Sequence, residues 1–247
     1  MIKALQDKTL QEQALQERNK HIVIKNIADT SAFARYGRVL PIDCADLAEM
    51  IAVASAAPAE PGYRMSESAL EETGLFAWFQ DSFYGGMPVQ AGICTGRNTQ
   101  LNCFEYHRGT EINIAATDLV LLLAHMDDIH ENRISSERAE AFYVPKGSCI
   151  ALYETTLHFS PLRVGPERFI CIVILPEGTN GSLGAPARSA DGGAQASFAK
   201  KTPEDELLFM KNKWLLGHSE SIQVQSRNAF CGVTGVNITL RPLGEAL

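Results

Sequence analysis

The sequence predicts a mainly β chain, a sandwich or barrel of short strands with α-helical extensions at both ends. Three observations carry this. From Met87 onward, short apolar runs recur at close spacing, over 88–94, 101–107, 111–116, 119–124, 141–144, 148–153 and 169–175. Gly, Pro, Asn and Asp punctuate them, which is the turn chemistry of successive strands rather than the longer helical spacers of βαβ units. The flanking segments instead have the composition and caps of helices.

In chain order, residues 3–19 are rich in Gln, Leu, Glu and Ala and predict a helix. The β-branched run at 20–24 predicts a strand, and Asp29 can cap a helical turn through Ala34. A helix is expected from Asp43 or Cys44 to Ala54, with Leu47, Ile51 and Val53 inward. Pro58 and Pro61-Gly62 end it, since proline removes a helical donor. A second helix is expected over 66–78, capped by Ser66, before an aromatic turn over 79–86. After the strand-rich region, 179–197 is rich in Gly, Ala and Ser and predicts a flexible loop. Thr202-Pro203-Glu204 reads as a helix start running to Leu216, and 221–225 and 233–240 as a last pair of strands. The expected organisation is an α-rich extension (1–86), a barrel core (87–178), a flexible loop (179–201), and a helix and strands (202–247) completing the same domain.

The chain has 247 residues and a formal charge of −7, with 21% charged and 45% hydrophobic residues. That balance permits a substantial core and argues against a nucleic-acid or anionic-membrane surface, leaving a small molecule as the expected partner. The six cysteines have no CxxC pair, and the N-terminus lacks signal-peptide character, so free thiols in a reducing cytoplasm are expected.

The chemistry concentrates in Glu105-Tyr106-His107-Arg108-Gly109-Thr110-Glu111. On a strand, residues two apart share a face, so Glu105 and His107 project together while Tyr106 turns to the core. Arg108-Gly109-Thr110 reads as a tight turn, after which Glu111 opens the next strand. His158, about fifty residues on, is the candidate fourth ligand. Two carboxylates and two imidazoles suit a divalent ion, Mn, Fe, Ni or Zn, rather than copper(I). Glu111 and Glu154 are candidate proton-transfer groups; Gln90, Asn102, Asn113 and Lys146 are candidate substrate-binding residues. His125 and His130, around Met126-Asp127-Asp128, read as an exposed turn.

The spacing Glu105-x-His107-xxx-Glu111, with Pro145-x-Gly147 and His158 downstream, resembles the two motifs of the cupins. Glu105 stands where that family usually has a first histidine, and the gap from Gly147 to His158 is longer than usual. The resemblance implies a double-stranded β-helix, or jelly-roll barrel, enclosing a metal. Tyr36-Gly37-Arg38-Val39, Met87 to Gly92, Leu101 to Thr117 and Asn212-Lys213-Trp214-Leu215 resemble one bacterial cupin family of unknown function. More distantly, Phe33–Tyr36–Gly37 and Leu157-His158 are similar to ureidoglycolate lyase.

The expected function is a metal-dependent isomerase or epimerase of a sugar or sugar acid, with the metal holding a carbonyl and a neighbouring hydroxyl. The alternatives are a lyase of a small ureido or keto acid, with Lys146, Arg163 or Arg168 as carboxylate clamp, an iron dioxygenase, and a non-catalytic ligand-binding cupin. A homodimer is expected from the cupin resemblance.

Overall fold

The computed structural model describes residues 2–58, 60–183 and 201–245; most of the predicted flexible loop lies outside the described residues. A helix over Ile2–Arg18 leads into β1 (Ile24–Asn26), β2 (Gly37–Val39) and β3 (Gly62–Arg64). Between β2 and β3 runs the helix Cys44–Ala56, capped by the Asp43 carboxylate accepting from Ala45 N–H. The helix expected over 66–78 is two short ones, Ser68–Glu71 and Gly74–Trp78, because Thr73 leaves the first and caps the second through its hydroxyl.

The strand-rich region follows as β4 (Val89–Gly96), β5 (Cys103–Tyr106), β6 (Glu111–Ala115) and β7 (Leu119–His125). Next come β8 (Ile134–Ser135), β9 (Glu140–Val144), β10 (Cys149–Leu152), β11 (Thr156–Leu157), β12 (Leu162–Arg163) and β13 (Phe169–Pro176). Two sheets face each other as a jelly-roll barrel. One has the order β2-β10-β6-β13-β4-β3; the other runs β1-β9-β7-β11, with β12 also on β7. Strands from the N-terminal segment thus edge both sheets.

Side-chain alternation divides the first sheet cleanly. On β13, Phe169, Cys171, Val173 and Leu175 face the barrel interior with Leu121, Leu123 and Phe142 of the opposite sheet. Ile170, Ile172 and Ile174 face outward onto Met50, Leu70 and Phe79 of the helices. Both faces are dry, so the strand reads as a continuous apolar run rather than alternating. Phe142 is fully buried and meets Phe33 and Tyr36 edge-to-face at ring centroid distances of 5.5 Å. Phe142→Ala should therefore destabilise the protein by about 3–5 kcal/mol, the usual cost of such a cavity, measured by denaturant unfolding. A loss under about 1 kcal/mol would refute this packing.

The C-terminal segment departs from the sequence expectation. The helix expected to reach Leu216 stops after one 3₁₀ turn, Pro203–Glu206, and gives way to the hairpin β14 (Leu208–Met210) and β15 (Lys213–His218). The apolar positions there fit either period. Asn212, in the left-handed region at φ 54°, makes the reversal, and β15 finds an antiparallel partner in β5. The segment 221–225, expected as a strand, lies in the helix Ile222–Arg227, because Ser221 caps it and left-handed Asn228 ends it. The last strand, β16 (Phe230–Thr234), lies upstream of its expected position and pairs parallel with β15. Among the described residues, no helix is long and apolar enough to cross a membrane.

Candidate metal centre

Glu111 and Asn113 lie on β6, whose alternate residues Ile112 and Ile114 face the helices, so these two polar side chains project into the barrel. Glu105 comes from β5, and His107 follows directly. Gly109, at φ 121°, turns the chain tightly enough for His107 and Glu111 to approach each other. His158 enters from the segment after β11, in an antiparallel bridge with Glu105: Glu105 N–H donates to His158 O at 2.6 Å, and the return bond is 3.0 Å.

The four residues are buried, none more than 8% exposed. Glu105, His107 and His158 bring one ligand atom each within 4.8 Å of one another. Glu111 Oε2 lies 3.3 Å from His107 Nε2 and 3.1 Å from His158 Nε2. Both Nδ1 atoms face backbone carbonyls, His107 that of Asn212 at 2.7 Å and His158 that of Thr156 at 3.1 Å. A carbonyl only accepts, so each Nδ1 must donate, and each Nε2 is aimed at the cluster. Asn113 Nδ2 donates to Glu111 Oε1 at 2.8 Å, fixing that carboxylate.

Burial would raise the pKa of Glu105, but the Lys213 ammonium and both imidazoles overcome it and hold the carboxyl at about 2. Glu111 is likewise lowered against its burial by His158 and His107. Burial lowers the pKa of His158, yet the Glu111 and Glu105 carboxylates prevail and push it up to about 9.

The residues fit a divalent cation. His107 Nε2 is buried without an aligned hydrogen bond. Two ionised carboxylates and two imidazole nitrogens held in their outer orientation by carbonyls form the donor set and outer shell of a Mn, Fe, Ni or Zn site. With His107 packed behind them, Glu105, Glu111 and His158 line a pocket of about 610 Å³, a size suited to a small molecule. Among its lining residues are Asn98, Asn102, Asn113, Ser160 and Lys213.

Not every expected site residue is brought here. Lys146 lies in an exposed turn beyond β9, where Gly147 N–H bonds Ala115 O at 2.8 Å. That is the far end of β6 from Glu111, about 13 Å along the strand. Glu154 is exposed in the turn after β10 and does not line the pocket. Gln90 is buried outside the lining, where it accepts from Gly178 N–H at 2.6 Å and donates to Thr179 O at 2.9 Å; it clamps a loop. Arg163 pairs with Glu245 and Arg168 with the Ala57 and Pro58 carbonyls, so neither serves the pocket. Cys94 lines it, but burial pushes its thiol up to about 12, unsuited to a nucleophile.

Lys213 is the residue that sequence reasoning missed. The β5–β15 register pairs Trp214 with Tyr106 and Leu215 with Glu105, which puts Lys213 on the Glu105 face. Its Nζ lies 2.7 Å from Glu105 Oε2. A segment read as a helix gave no reason to look there.

Comparison with curated proteins gives no significant match. Among solved structures, a mutant of Bacillus subtilis oxalate decarboxylase is similar at 11% identity and a TM-score of 0.32, over 49% of this chain and 27% of that one. Another structure of that enzyme, studied for its Mn(II) centres, matches at the same identity and TM-score, over 28% of its chain. This chain thus spans little more than a quarter of those proteins, and a likeness so slight carries no chemistry across. Residues 24–238 match the family described as Domain of unknown function (DUF4867), and the chain belongs to that family.

Proposed function

We propose that this protein is a metal-dependent isomerase of a sugar or sugar acid. The observation that carries the reading is the buried cluster of Glu105, His107 and His158, with Glu111 against both imidazoles, bordering a pocket lined in part by side-chain amides and hydroxyls. Glu105, His107 and His158, with Glu111 against both imidazoles, would hold a divalent ion, which supplies Lewis acidity to a substrate carbonyl. Asn113, which spends one Nδ2 proton on Glu111, and Asn102, whose Oδ1 accepts from Asn237, keep capacity for sugar hydroxyls, whereas Asn98 is tied to Gln100, Ser160 and Asn102.

Glu111 is the proton-transfer group. Kept ionised by the imidazoles and oriented by Asn113, its carboxylate takes the proton from the carbon beside the carbonyl and returns it to the neighbouring carbon. The hydroxyl proton crosses between the two oxygens, so the substrate is rearranged without gain or loss of atoms. With Glu154 outside the pocket and Glu105 paired to Lys213, Glu111 alone is left to move the proton. That favours aldose–ketose exchange over epimerisation, which needs delivery to both faces of one carbon. The ureido- or keto-acid lyase remains the alternative, although none of the cations expected for it lines the pocket.

Metal-loaded protein should incorporate solvent deuterium at C1 or C2 of a member of a panel of aldoses, ketoses and uronates, followed by NMR. At matched metal occupancy, Glu111→Gln should slow that exchange by about 10²–10⁴-fold, the usual contribution of a positioned base. No deuterium uptake from any member of the panel would overturn the proposal.

A further inference from the structure

Within the isomerase reading, on which this step rests, we infer that the substrate is a sugar acid whose carboxylate is taken by Lys213. The pocket is lined by three cations, Arg97, Lys213 and Arg227, against two carboxylates, Glu105 and Glu111. Both carboxylates already face the imidazoles, so a bound divalent ion would leave the pocket strongly positive inside a chain whose formal charge is −7. Cationic walls in an acidic protein select an anion by field and by on-rate.

The geometry puts that anion next to the reacting centre. Glu105 spans the two groups: Oε1 lies 3.7 Å from His107 Nε2, and Oε2 lies 2.7 Å from Lys213 Nζ. The ammonium therefore stands one carboxylate away from the imidazole cluster, on a side chain 14% exposed. An ammonium has three donors, and Glu105 is the only carboxylate within ion-pair distance of Lys213 among the described residues. Arg97 and Arg227 are exposed at the rim, where they can steer an anion inward. A single inner ammonium, with the arginines held outside, suits a carboxylate better than a phosphate, which is commonly gripped by several converging donors.

D-glucuronate and D-glucose differ only in the carboxylate at C6, and D-glucose 6-phosphate carries a phosphate there instead. Isothermal titration of each into metal-loaded protein should give glucuronate at least about tenfold tighter binding than glucose, and tighter binding than glucose 6-phosphate. At matched metal occupancy, Lys213→Met should bring glucuronate down to the level that glucose shows in the same variant, and Lys213→Arg should restore part of the preference. Equal binding of glucuronate and glucose, no binding of glucuronate, a preference for the phosphate, or parallel loss of both sugars in Lys213→Met would each overturn the inference. Because Lys213 is the charged partner of Glu105, every variant is titrated at saturating metal with its occupancy measured, and melting temperature checks the fold. Selective glucuronate binding without deuterium exchange would sustain this inference and remove the isomerase reading. Exchange on neutral sugars, with no preference for glucuronate, would do the reverse.

Discussion

His107→Ala and His158→Ala should each purify with almost no bound divalent metal, whereas the unmodified chain retains close to one ion. Each Nε2 faces the cluster because its Nδ1 donates to a carbonyl, so each substitution removes a donor already aimed and desolvated. Losing only an outer partner of a metal ligand commonly weakens binding 10–100-fold. Losing the ligand itself should exceed that, about 100-fold or more. The measurement is elemental analysis after dialysis against a fixed free-metal concentration. Lys146→Ala and Glu154→Gln belong in the same experiment, because both residues lie outside the cluster and should keep full metal content. Equal metal in the histidine variants and the unmodified chain would remove the proposed centre. The folded state should survive in both variants, since the barrel interior is filled independently by Leu121, Phe142, Phe169 and Val173.

The cluster was legible in the sequence because its spacing is local: two residues within a strand give one face, and a glycine turn returns the chain to Glu111. The substrate side was not. Lys213 depends on a register between strands more than a hundred residues apart, and its segment satisfies the helix period as readily as the strand period. Lys146 looked close because a motif placed it beside Gly147. That turn serves the far end of β6, a distinction of direction along a strand that sequence spacing does not carry. The strands of the barrel were recognisable as runs, but their two-sided burial erased the alternation that would have told the interior face from the helix-covered one. The N-terminal segment supplies three-residue strands that edge both sheets; the run at 20–24 reaches only the first residue of β1, and β2 and β3 are too short for any periodic signal.

Raising the pH from 6 to 8 should tighten divalent-metal binding by about 100-fold, with close to one proton released per ion bound below pH 9. Without metal, the His158 imidazolium is held by Glu111 Oε2 at 3.1 Å, and despite burial its pKa is raised to about 9. A ligand must offer its lone pair, so the incoming ion displaces the Nε2 proton, at a tenfold cost in affinity for each pH unit below that value. Glu105, at about 2, is ionised throughout this window and adds no slope. The same proton acts in the opposite sense on the metal-free fold. A group whose folded pKa is raised stabilises fully below its unfolded value, here 6.5, and that contribution is lost as pH climbs through about 9. Chelator-treated protein should therefore lose thermal stability between pH 6.5 and 9, while the stabilisation conferred by added metal grows over the same interval. Melting curves with and without metal test the crossing trends, and titration calorimetry in two buffers of different ionisation enthalpy counts the proton. Affinity independent of pH, or no proton released, would mean that His158 does not exchange a proton for the ion. The buried Glu111–His158 pair would then be a structural ion pair, and the metal centre would have to be built without it.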